Sequence, residues 1–198
     1  MKKIMFNDRY GLTEAVPGGR KTQTRRIIKF SPIDAKYVND EGWSIGGYVA
    51  SEIINHYSRY NVGEVVAIAQ SYKDCGYGEC APIVSLDENG IATFGSYAGS
   101  YNKMFVRADL MPHHISITDV KVERLQDISD EDCIKEGIYK GQCGSADTHF
   151  MDAYFFKGDK QPYCTPRQAY AALIDRISGK GTWESNPYVF VYDFELVK

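Results

Sequence analysis

Several things are missing from this chain, and each absence narrows what it does. Nowhere does it hold the run of about eighteen apolar residues that a helix needs to cross a bilayer, so no membrane partner is expected. Its opening, Met1-Lys2-Lys3-Ile4-Met5-Phe6-Asn7-Asp8, carries two lysines but an apolar run of only three residues, and it does not read as a secretion signal. Cysteine is sparse: Cys75, Cys80, Cys133, Cys143 and Cys164 make an odd set of five. Without a secretion signal, such a set points to free thiols in a reducing cytoplasm. There is no second Cys or His pair to match Cys75 and Cys80, and His113-His114 are adjacent, a spacing poorly suited to chelating one ion. Packing thiols and no metal are therefore expected, and nothing points to a cofactor. An excess of positive charge is also missing. With 23 Lys and Arg against 26 Asp and Glu, the net charge is −3. The chain is thus no general binder of polyanions. Any nucleic-acid contact is local, or the ligand is small.

What is present suits one globular domain. The chain has 198 residues, 43% of them hydrophobic, with 15 Tyr and 9 Phe, which is enough for a real core. Asn7 or Asp8 caps a short helix over residues 8–16 with Leu12, Ala15 and Val16 on one face, and Pro17-Gly18-Gly19 stops it. A strand is expected near Thr24–Ile28 and another over Val65–Ala69, apolar throughout and so covered on both faces. Ile115 and Ile117 alternate on one parity while Val120 and Val122 continue on the other. A β-bulge near Thr118-Asp119 restores the phase, as happens where sheets curl. Ser129 caps a helix opening on Asp130-Glu131-Asp132 and closing at Gly137. Thr165-Pro166 opens another, with Tyr170, Leu173, Ile174 and Ile177 at helical spacing. A final strand over 188–197 places Tyr188, Phe190, Tyr192, Phe194 and Leu196 on one face. Strands outnumber helices and no βαβ rhythm appears, so the fold class is α+β around a small curled sheet. Residues 31–60 read as an irregular, ordered insertion or hairpin, 74–102 as a long hairpin loop, and 139–163 as a further excursion.

The densest chemistry lies in Gly19-Arg20-Lys21-Thr22-Gln23-Thr24-Arg25-Arg26-Ile27-Ile28-Lys29, with five cations in ten residues and no acid. Arg20, Arg25 and Arg26, with the Thr22 hydroxyl, suit phosphate. The alternative is surface charge paired with Asp130, Glu131 and Asp132. Glu136 falls in the last turn of its helix, where the backbone dipole disfavours an acid by about 0.3–1 kcal/mol. Either it is solvated or a cation from elsewhere pairs with it, and Lys21 is the candidate. Lys21 and Thr24 converge only if the chain turns between them. A Lys beside a Thr hydroxyl, with a Glu to move protons, makes a workable hydrolytic set.

Three pieces of the sequence, in order, resemble the ASCH domain of the PUA-like superfamily. Gly19-Arg20-Lys21-Thr22-Gln23-Thr24-Arg25-Arg26 resembles its G-R-K-T-x-T-x-R signature. Gly63-Glu64-Val65-Val66 stands where the family has G-D before a strand, with Glu in place of Asp. Val122-Glu123-Arg124-Leu125, running through Ile128 to Glu136-Gly137, is similar to its strand, linker and helix ending in E-G. The closing strand also fits, and the whole is similar to longer, phage-associated ASCH proteins of bacterial genomes. The resemblance covers about half of the chain. It implies a single domain over 1–198 with insertions near 31–60, 74–102 and 139–163. It further implies a small β-barrel with helices at its ends, and RNA or a modified nucleoside as partner. One branch of the family hydrolyses N4-acylated cytidines, and its catalytic Lys, Thr and Glu fall on Lys21, Thr24 and Glu136. Three readings of function follow: an RNA- or nucleoside-binding protein with a basic cleft, an amidohydrolase, or an accessory module that meets another protein through its Tyr-rich loops.

Overall fold

In a computed structural model of the chain, the described residues are 1–31, 34, 48–77, 85–86, 88–90, 92–93, 99, 102–144 and 149–197. Tyr37, Trp43, Cys80 and most of the Tyr-rich loops lie outside them. The main sheet has five strands: β1 Lys3–Ile4, β2 Gln23–Ile27, β3 Val65–Ile68, β6 His114–Arg124 and β9 Tyr188–Leu196. Their order is β1-β3-β6-β9-β2, with only β1 and β3 parallel. The architecture is mixed α+β. Among the described residues the sheet runs from β1 at one edge to β2 at the other, without closing.

The bulge falls where the change of phase requires it. Ile117 pairs with Phe194, and the next pair is Asp119 with Asp193, so Thr118 is the extra residue. Ile115 and Ile117 are thereby buried before it and Val120 after it. The strand β9 lies in the interior of the sheet. Its sequence suggests one apolar face, but Val189, Phe190, Val191 and Tyr192 are all buried, because helices and loops cover both sides. At its far end Leu196 is exposed. In β3, Val66, Ala67 and Ile68 are fully buried while Val65, at the rim, is 42% exposed.

The segment expected as one helix over 8–16 is two pieces. A 3₁₀ turn, Asp8–Tyr10, is capped by Asn7, whose side chain accepts from the Arg9 amide. Gly11, at φ +63°, then redirects the chain into α1, Leu12–Ala15. The part of the 31–60 insertion that is described differs from the hairpin expectation: Tyr48–Tyr57 is a helix, α2. Ile53, Ile54 and Tyr57 pack on the core at helical spacing, which glycines and tyrosines elsewhere in the segment masked. The later helices are α3 Asp130–Lys135, α4 Pro166–Ser178 and α5 Thr182–Ser185. Two hairpins stand apart from the main sheet: β4 Ser85–Leu86 with β5 Ala92–Thr93, and β7 Tyr139–Cys143 with β8 Met151–Phe155.

Two of these helices position the site. In α4, Thr165 caps the Gln168 amide, Pro166 occupies the first turn, and Tyr170, Leu173 and Ile174 are buried against the sheet. In α3, the Ser129 hydroxyl accepts from the Asp132 amide, and Gly137 ends the helix at φ +105°. A Cβ on Gly137 would stand 3.0 Å from Leu12 Cδ2 and 4.0 Å from Lys21 Cδ. Strain and crowding therefore act together there. Gly137→Ala is expected to lower stability by about 1–3 kcal/mol, read from urea unfolding; an unchanged midpoint would remove this account of the turn.

Candidate functional site

The basic segment is a bend before it is a strand. Val16 to Gly19 form a turn, with Gly19 at φ +69°. The Arg20 and Lys21 amides both donate to the Ala15 carbonyl, at 2.9 and 3.0 Å. The next amide, Thr22, donates to the Lys135 carbonyl at the end of α3 (3.0 Å), and the Thr22 carbonyl accepts from the Phe194 amide (2.9 Å). Residue 22 is thus clamped between α3 and β9, which aims Lys21 inward.

Lys21 is 1% exposed, and its ammonium donates three hydrogen bonds: to Glu136 Oε2 at 2.6 Å, to the Glu136 carbonyl at 2.9 Å and to the Gln23 carbonyl at 2.8 Å. An ammonium has three donors, and all are used. The Glu136 carbonyl is among the last of α3 left without a helical partner, so Lys21 caps the helix as well as pairing with its acid. This explains a carboxylate at the unfavourable end of a dipole. Burial pulls the Lys21 ammonium down from its ordinary value, and Arg26 and Arg25 add to that, while the Glu136 charge and hydrogen bond oppose it.

Arg25 extends the network, with its side chain fully enclosed. Its Nε and Nη2 donate to Glu123 Oε1 at 3.0 and 2.7 Å, and Nη2 also reaches Asp132 Oδ2 at 3.3 Å. Its Nη1 donates to Gln23 Oε1 at 2.5 Å and to Glu136 Oε1 at 3.3 Å. Gln23 in turn donates to Asp193 Oδ1 at 2.7 Å. Burial alone would raise Asp132, but the Lys135 hydrogen bond and the charges of Lys135, Arg25 and Lys121 hold it below the usual carboxylate range.

Between β2, the N-terminal segment and α4 lies a cavity of about 260 Å³. Lys21, Thr24 and Glu136 line it together with Phe6, Arg26 and Tyr170, and Leu173, Ile174 and Ile177 form its apolar side. It falls below the roughly 300–1,000 Å³ of drug-sized sites. Thr24 and Tyr170 are 3% and 2% exposed, and both line the cavity. Burial, and then the Glu136 charge, raises the Tyr170 phenol well above 10, so it is neutral and both donates and accepts.

The structure therefore brings Lys21, Thr24 and Glu136 to one cavity. Lys21 and Glu136 are in contact, while the Thr24 hydroxyl is bonded to neither. Of the four residues read as phosphate-binding, Arg25 is engaged by carboxylates. Arg26 lines the cavity half-buried, donating to the Met5 carbonyl at 2.5 Å and lying 5.7 Å from the Phe6 ring centroid. Arg20 and Thr22 are exposed outside it. Sequence reasoning passed over Phe6, Gln23 and Glu123, and read Tyr170 as core. No spacing rule connects them, since strand pairing and the α4 packing assemble them. Among the described residues no group of three His, Cys, Asp or Glu side chains is placed to hold a metal ion. Cys133 is buried, which pushes its thiol up to about 12 and leaves it inert as a nucleophile at neutral pH. Comparisons with protein-family models, with curated proteins and with solved structures find no match.

Unequal costs are expected for the two halves of the ion pair. Glu136→Leu strands the Lys21 ammonium in the interior and should cost about 3–5 kcal/mol. Lys21→Met should cost less, because Arg25 remains beside Glu136. A double-mutant cycle by urea unfolding measures both, and an additive cycle would deny the coupling. For pH, Asp132 is held below its unfolded value, so its contribution is fully present above the ordinary carboxylate pKa and is lost as pH falls through the folded one. Stability should fall in that acid range, and Asp132→Asn should flatten the fall; an unchanged acid limb would contradict it.

Proposed function

We propose that the chain is an ASCH-type, PUA-like protein that binds RNA or a modified nucleoside, with one base held in the cavity lined by Lys21, Thr24, Glu136 and Tyr170. The observation that carries this is one cavity that Thr24 and Tyr170 line beside an ion pair whose ammonium is fully satisfied. With the Lys21 ammonium committed to Glu136 and Gln23, the Thr24 and Tyr170 side chains are polar groups of that wall that a ligand would meet. A nucleobase edge offers donors and acceptors to such groups, and Phe6 with the α4 side chains offers apolar surface to its ring. The barrel character of the fold belongs to the same reading. It is supported by the bulge at Thr118 and by the approach of the two edges of the sheet, where Arg26 on β2 donates to the carbonyl of Met5, next to β1.

A second reading, an amidohydrolase acting on an N4-acylcytidine-type base, is favoured by one specific contact. Lys21 Nζ and Glu136 Oε2 are 2.6 Å apart, a proton-transfer distance, at the wall that Thr24 shares. Thr24 Oγ1 would add to the acyl carbon and pass its proton to the Lys21 amine in its neutral form. The C–N bond would then break as that proton, relayed between Lys21 and Glu136, goes to the departing exocyclic amine. Water would then hydrolyse the acyl-threonine and restore the hydroxyl.

Titration with N4-acetylcytidine, followed by calorimetry and by chromatographic detection of cytidine, separates the readings. Binding with turnover that Thr24→Ala abolishes supports the hydrolase. Binding without turnover supports the binding protein alone. If neither acylated nucleosides nor single-stranded RNA bind, both readings fail.

A further inference from the structure

Beside the first cavity lies a second groove of about 420 Å³. The two share Arg26, Ile27 and Lys29 of the β2 edge and its exit, so they are neighbours along one strand. The opposite wall comes from the insertion: Tyr57 closes α2, and Arg59 and Tyr60 follow it. Among the described residues no acidic side chain lines this groove. Its three cations, Arg26, Lys29 and Arg59, have no carboxylate within ion-pair distance among the described residues, whereas the cations inside the neighbouring network, Lys21 and Arg25, are both paired. In a chain whose acids outnumber its bases, three such cations around one depression form a local positive field, with Asp34, bonded to the Tyr57 hydroxyl, and Glu64, which acts on Tyr60, as acids nearby.

The groove is also held in shape. Arg26 is fixed by the Met5 carbonyl and the Phe6 ring. Arg59 lies 5.7 Å from the Tyr60 ring centroid, and its amide donates to the Tyr192 hydroxyl at 3.3 Å. Tyr57 is braced edge-on by Phe30, with centroids 5.5 Å apart, and its hydroxyl donates to Asp34. Burial raises the Tyr60 phenol; the charges of Arg59 and Arg26 act against that rise while Tyr192 and Glu64 add to it, so the two guanidinium groups reach the same neighbourhood. Guanidinium groups and an ammonium around one depression, none of them ion-paired among the described residues, are the chemistry of a phosphate site.

We propose that this groove holds the phosphate of the ligand whose base occupies the first cavity, so that the ligand class is a phosphorylated nucleoside, free or within a single strand, and not a bare nucleoside. The proposal rests on the base-binding reading above and adds its substrate class. It assigns the insertion helix a role, since α2 carries the wall that Tyr57 and Arg59 form.

The test compares N4-acetylcytidine, its 5′- and 3′-monophosphates and a trinucleotide containing it, by calorimetry on the full chain. At least one phosphorylated form should bind about tenfold or more tightly than the nucleoside, as charge-assisted hydrogen bonds imply. The exposed variants Arg59→Ala and Lys29→Ala should each erase most of that gain, while Lys180→Ala, an exposed cation outside both sites, should leave it. A trinucleotide that binds tighter than either monophosphate, with a steeper salt dependence, identifies a strand as the source; equal affinities identify the free nucleotide. Phosphorylated forms no tighter than the nucleoside, or a gain that survives the Arg59→Ala/Lys29→Ala pair, would overturn the proposal. A separate arm uses an oligouridylate at low salt and needs no base in the first cavity. If no nucleoside binds, the base-binding reading fails, and Arg59-dependent oligouridylate binding still sustains the phosphate groove. Loss of both removes it.

Discussion

The contact between Lys21 and Glu136 organises this molecule. Two opposite charges are taken out of water together, and such a pair is tolerable only when every remaining donor and acceptor is also satisfied. That condition reaches far beyond two side chains. It needs the Gln23 and Glu136 carbonyls at the ammonium, the Thr22 amide on the end of α3, and a glycine at 137 so that Lys21 and Leu12 pass close by. It also needs Arg25 beside Glu136, held in turn by Glu123 and Asp132. The bend after α1 and the tail of α3 are distant in sequence, and charge neutralisation in a low-dielectric interior ties them together.

One consequence is a division of labour within the basic segment. A local excess of cations reads as a single anion-attracting surface, but the fold sorts it by direction. Lys21 and Arg25 turn inward and are neutralised. Arg26 and Lys29 stay at the rim, where Arg59, from beyond α2, joins them. The positive field that results is smaller and differently placed than the segment alone implies. It borders the cavity that Lys21, Thr24 and Glu136 line.

The rigid ion pair also defines what is free beside it. Lys21, Arg25, Gln23 and the three carboxylates hydrogen-bond one another, while Thr24, Tyr170 and apolar side chains line the cavity beside them. On the proposed reading, a fixed polar network beside these groups means that a ligand would meet positions already held, with little ordering left for binding to accomplish.

Much of this was legible in the chain. The bulge at Thr118 followed from a change in parity that only an extra residue repairs. The caps at Ser129 and Thr165 and the stop at Gly137 followed from local backbone chemistry, and the helix dipole marked Glu136 as out of place, with Lys21 as the candidate partner if it was not simply solvated. These are short-range effects, decided by residues a few positions apart. The helix at Tyr48–Tyr57 was hidden, because its apolar face means something only against a core that the sequence does not display. The same holds for the burial of both faces of β9, for the carboxylates that claim Arg25, and for Tyr170 beside Glu136. Sequence spacing sets which groups exist and which way each local element points. Which of them share a dry interior is decided by long-range packing, and there burial, not proximity along the chain, governs how strongly two charges act on each other.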